Sequence, residues 1–91
     1  MVENVYCFKT MSSIYEKERN DIKNNTVREI DLNDSRFTEL IYWMYKGFDN
    51  GEPYIRIQNA FDSKESFQRS IKDITIWMDL MIITWHPKVT L

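Results

Sequence analysis

The chain has 91 residues, 14 of them acidic against 12 basic, with a single histidine and a single cysteine. That length leaves room for one hydrophobic core and no second one. Acidic and basic residues are interspersed, which argues against the one-signed field that drives binding to nucleic acid or anionic lipid. A lone cysteine excludes an intrachain disulfide and fits a reducing, cytoplasmic setting.

The first residues, MVENVYCFKT, lack the basic start and apolar stretch of a secretory signal. From Val2 to Phe8 the strand-favouring residues Val5, Tyr6, Cys7 and Phe8 predict a first strand. The segment SSIYEKERNDIKNN that follows is highly charged, with only Ile14, Tyr15 and Ile22 as a thin apolar face. It reads as a hairpin whose solvated tip, or loop, spans about 16–25, with a short helix as the alternative. TVREIDL, Thr26 to Leu32, reads as the second strand, with Arg28, Ile30 and Leu32 on one face.

NDSRFTELIYWMYKGF carries the clearest pattern. Phe37, Leu40, Ile41, Met44 and Phe48 recur at three- and four-residue spacing, the stripe of an amphipathic helix. Asp34 or Ser35 can cap its first amides, Glu39 complements the positive end, and Gly47 can supply a left-handed terminal residue. Asp49-Asn50-Gly51 then turns the chain. PYIRIQN alternates as a half-buried strand, with Pro53 at its start because proline donates no ladder hydrogen bond. FDSKESFQRSIKDI predicts a second helix: Asp62 and Glu65 sit at capping-box spacing, and Phe67, Ile71, Ile74 and Met78 keep the helical period.

The run ITIWMDLMIITWHP is apolar almost throughout, yet too short for the roughly 20 residues of a membrane-spanning helix. Past Ile74 the helical stripe fails, since Ile76 and Leu80 project about 180° and 220° from Phe67 at 100° per residue. Read with period two, Ile74, Ile76, Met78, Leu80 and Ile82 face one way, and Trp77, Met81, Ile83 and Trp85 the other. The expectation is a helix to about Met78 and a strand over about Met81 to Trp85, stopped by His86-Pro87. One long helix is the alternative.

Catalytic patterns are missing. His86 is the only candidate base and stands directly before Pro87, and Cys7 reads as a small core residue in an apolar strand. There is no Cys/His cluster, no calcium-loop spacing and no phosphate-cradling glycine loop. No catalytic residue, metal ligand or cofactor is assigned, and the chain is not expected to be an enzyme.

These elements predict a single α+β domain over 1–91, ordered β-β-α-β-α with a last strand, its mostly antiparallel sheet carrying two helices on one face. Apolar bulk exceeds what so small a core can hold. Tyr42 and Trp43, which lie off the helical stripe, together with Trp77 and Trp85 are the candidate partner-binding residues. The expected function is a non-catalytic protein-binding module, an inhibitor or adaptor acting by surface occlusion, physically analogous in type to small phage-borne inhibitors. Its partner would be another protein, with self-association as a homodimer through the same patch and no membrane contact. The alternative is single-stranded nucleic acid stacking on a sheet face through Tyr6, Phe8, Tyr54 and Arg56.

Overall fold

The computed structural model describes residues 4–49 and 51–88. Val2 of the predicted first strand and Asn50 of the predicted turn lie outside the described residues. The elements in chain order are β1 (Val5–Thr10), α1 (Ser12–Arg19), β2 (Asn25–Glu29), α2 (Ser35–Lys46), β3 (Tyr54–Asn59), β4 (Asp62–Trp77) and β5 (Leu80–Trp85). The five strands form one sheet ordered β1-β3-β4-β5-β2, antiparallel except for the β1–β3 pair. The α+β class, the mostly antiparallel sheet and the two helices on one face are as expected.

The identity of one helix is not. The charged segment after β1 is α1, one apolar turn sufficing because Tyr15 is buried, its ring 5.5 Å from that of Phe67. Ser12 fastens the helix start by donating to Asn59 Oδ1 at 2.9 Å. Glu18, three residues after Tyr15 and wholly buried, accepts from Lys23 Nζ at 3.0 Å. The segment expected as the second helix is instead the 16-residue strand β4.

The helical period there was produced by a bulge. Phe67 and Ile71 face inward, but Lys72 is an extra residue: Ile71 pairs with Trp85 and Asp73 with Thr84. Beyond it the inward positions shift to Ile74 and Ile76. Two strand segments out of phase by one residue therefore place apolar side chains at spacings of four and three, as a helix would. Asp62 does not cap a helix; its Oδ1 accepts from the Lys64 amide at 3.0 Å, just past the β3–β4 turn at Ala60-Phe61.

Predicted helix α2 forms as read. Asp34 is its cap, accepting from the Arg36 amide at 3.0 Å, and Gly47 ends it at φ +82°. Phe37 and Leu40 are buried, with Ile41, Met44 and Phe48 packed at the margin of the core. Phe37 meets Phe8 edge-on at 5.7 Å. Since Phe8 and Phe67 point to the same side of the sheet, α1 and α2 cover one face and, among the described residues, nothing covers the other. The core between them and the sheet is built from Ile55, Ile57, Ile71, Met81, Ile83 and Trp85, all at most 1% exposed.

The sheet curls until one side chain spans its two edge strands. Arg28 of β2 donates to the Lys9 carbonyl at 2.8 Å and to Thr10 Oγ1 at 2.7 Å, both in β1. Arg36 of α2 donates to the Cys7 carbonyl. The Asn4 and Thr10 carbonyls are taken by β3, so Cys7 and Lys9 present theirs on the open side of β1. Two arginines thus satisfy backbone acceptors that a further strand would otherwise take. Burial holds the Arg28 guanidinium below its ordinary pKa, with Glu18 acting in the opposite sense and Arg36 adding to the fall.

Candidate partner-binding surface

Strands β4, β5 and β2 carry the bare face that best fits a partner. Register places Val27, Ile82 and Thr75 side by side in one row across the three strands. The next row is Glu29, Leu80 and Trp77, and the row on the other side is Asn25, Thr84 and Asp73. All nine alternate with the inward Thr26, Met81, Ile83 and Ile76, so they point away from both helices. Trp77 is 63% exposed and Val27 49%, while Leu80 and Ile82 are half-buried between their strand neighbours. Four apolar side chains therefore make one continuous surface.

The turn joining β4 to β5 closes that surface at one end. Met78 and Asp79 form a two-residue loop between the paired Trp77 and Leu80. Met78 adopts φ +57°, a left-handed conformation that glycine takes without steric cost and an L side chain does not. Its side chain is 81% exposed and gains little from burial. The Ile30 amide donates to the Asp79 carbonyl at 2.8 Å, which ties the end of β2 to the same turn.

The four aromatic residues singled out in the sequence do not share a surface. Trp85 is fully buried, edge-on to Phe67 at 6.1 Å, and belongs to the core; its assignment to a patch is corrected. Its Nε1 has no hydrogen-bond partner. Trp43 is half-buried, donating to the Tyr6 hydroxyl at 3.0 Å and packing edge-on against Phe48. That leaves Tyr42, 61% exposed beneath Lys46 on α2, and Trp77 on the sheet.

The hairpin also rearranges the period-two reading. A two-residue turn pairs Trp77 with Leu80, so Trp77 joins the Leu80/Ile82 face, and Ile76 joins Met81, Ile83 and Trp85 inside. Val27, Leu80, Ile82 and the exposed Tyr45 were missed as surface residues. The alternation of β5 was readable; the parity switch at an unmarked turn was not.

The alternative nucleic-acid site is taken apart by the β1–β3 register. Val5 pairs with Tyr54 and Tyr6 with Ile55, which puts Tyr6 and Phe8 on the inner face and Tyr54 and Arg56 on the outer one. Tyr6 and Phe8 are 6% and 3% exposed, so the four cannot form one stacking platform. Burial raises the Tyr6 phenol above its ordinary pKa, against the opposing pull of the Trp43 N–H; Glu39 nearby adds to the rise. Cys7 faces outward and is exposed, so its reading as a core residue is corrected.

His86 is exposed just past β5. Among the described residues no three His, Cys, Asp or Glu side chains converge as a metal site, and no helix is long and apolar enough to cross a membrane. No protein-family model matches the chain, and neither the curated proteins nor the solved structures contain a match to it.

Proposed function

We propose that this chain is a non-catalytic protein-binding module that docks through the bare face of β4, β5 and β2, acting as an inhibitor or adaptor by covering its partner's surface. The observation that carries this reading is Trp77, 63% exposed at the turn end of an apolar surface shared with Val27, Leu80 and Ile82. Exposed tryptophan bordered by half-buried aliphatic residues is the composition of an interface hot spot. Met78 adds support, because its positive φ costs stability and its exposed side chain regains little of that cost by burial within the chain.

The module needs no reacting group. Its contribution is shape, apolar area and a rigid three-stranded base in which the turn itself is anchored to β2. Affinity capture with wild-type and Trp77→Ala proteins as parallel baits tests the reading, with circular dichroism confirming that both are folded. A partner retained by the wild type and lost by the variant is the expected result. Partners retained equally by both baits would overturn it.

A further inference from the structure

We infer that the partner presents an apolar segment flanked by lysine or arginine, an inference that rests on the docking reading above. The turn end of the apolar surface is acidic. Of the nine side chains that β2, β5 and β4 contribute to it, Glu29 and Asp73 are acidic and none is basic. The turn adds Asp79, and the chain leaving β2 adds Asp31. All four are exposed, and among the described residues none has an ion-pair partner. Asp73 accepts only from the neighbouring Thr75 hydroxyl, and Asp31 only from the Asn33 amide.

The basic side chains nearest the surface lie away from the turn: Lys72, the extra residue of the bulge, is exposed beside Asp73, and Lys9 and Lys23 line a groove with Val27. Lys9 and Arg56 stand on β1 and β3, the other half of the same bare face, and Arg28 and Arg36 are committed to the β1 edge. This separation decides between occupants. A second copy whose two-fold axis passes near the turn would set Glu29, Asp31 and Asp79 against their own kind, a repulsive arrangement that no basic group at that end relieves. Nucleic acid and anionic membrane meet the same field. A partner whose apolar side chains enter between Trp77, Leu80, Ile82 and Val27 while its Lys or Arg side chains reach the acidic end satisfies both parts of the surface. Rim charges of this kind act mainly on encounter rate and choice of partner.

The test uses the full chain, immobilised, with a displayed library of random peptides of about 12 residues, enough to cross three strands. Selected peptides are then measured against Trp77→Ala and against the double variant Glu29→Lys/Asp73→Lys, both checked for folding and, by light scattering, for mass. The expected result is that peptides needing Trp77 carry net positive charge, weaken about tenfold or more on the charge-reversed variant, and weaken as salt rises. Peptides that need Trp77 but are neutral or acidic, and bind the charge-reversed variant unchanged, would overturn the basic-partner inference and leave the docking surface standing. Finding no peptide that depends on Trp77 would overturn both. A dimer that Trp77→Ala dissolves would assign the face to a second copy and overturn the inference.

Discussion

The Arg36 guanidinium lies 4.4 Å from the centre of the Phe8 ring while its Nη1 donates to the carbonyl of Cys7, the residue before Phe8. One side chain of α2 thus grips β1 by its backbone and by its core side chain, and Asp34 fixes the grip by accepting from Arg36 Nε and Nη2. Arg28 approaches the same ring at 5.2 Å from β2. Replacing Arg36 by Ala should cost about 2–4 kcal/mol in urea unfolding, the sum expected of one charge-assisted hydrogen bond and one cation–π contact. Arg36→Lys should recover only part of that, because an ammonium cannot serve the carbonyl, the carboxylate and the ring together.

Asp34 gives this region a pH dependence. Hydrogen bonds from the Arg36 side chain and amide hold its carboxyl below the ordinary carboxylate range. A depressed folded-state pKa means that the contribution is complete above the unfolded value, about 4, and disappears as pH falls through the folded one. Asp34→Asn keeps a capping oxygen but removes the charge. Its Tm should lie below wild type at neutral pH, and the difference should shrink as both proteins are acidified from about pH 5 toward pH 2. A difference that stays constant across that range would contradict the assignment.

The two ends of the sequence-legibility scale are α2 and β4. Helix α2 was readable because its stripe, its Asp34 cap and its Gly47 terminus all specify one structure within a dozen residues. Strand β4 was not, because the bulge at Lys72 imposes a phase slip that imitates helical spacing, and because both of its turns lack glycine. Ala60-Phe61 and Met78-Asp79 are turns made by pairing between strands rather than by local preference. The candidate surface inherited this ambiguity. Trp77 was identified, but its neighbours Val27, Leu80 and Ile82 are fixed by β2–β5–β4 register, a relation between distant segments that no local pattern encodes.

Trp77 and Trp85 stand at opposite limits of exposure and should respond oppositely to substitution. Trp85→Ala should cost about 3–5 kcal/mol, since it empties the space between Phe67 and Ile71 at the centre of the core. Trp85→Phe should cost clearly less, because it also removes an indole N–H that is buried without an acceptor. Trp77→Ala should shift stability by no more than about 1 kcal/mol while reducing partner binding. Denaturant titration of the three variants checks the order.

Met78→Gly should stabilise the free protein by about 0.5–1 kcal/mol. Relief of the left-handed backbone outweighs the added freedom of the unfolded chain, and the side chain removed makes little contact. The same change should weaken binding if the turn belongs to the docking surface. Thermal unfolding and a binding titration on one preparation read both effects.

The parallel junction of β1 with β3 has a consequence for how the chain assembles. Strands β3, β4 and β5 follow one another as a meander and can zip together through short loops, whereas Val5 must find Tyr54, about 50 positions away, after α1, β2 and α2 have been threaded past. Strand β2 closes a longer loop still, Asn25 pairing with Thr84, so both edge strands should join after the meander and leave before it. Their amide protons should exchange with deuterium sooner than those of the meander, with the Arg28 clasp between them setting how much sooner.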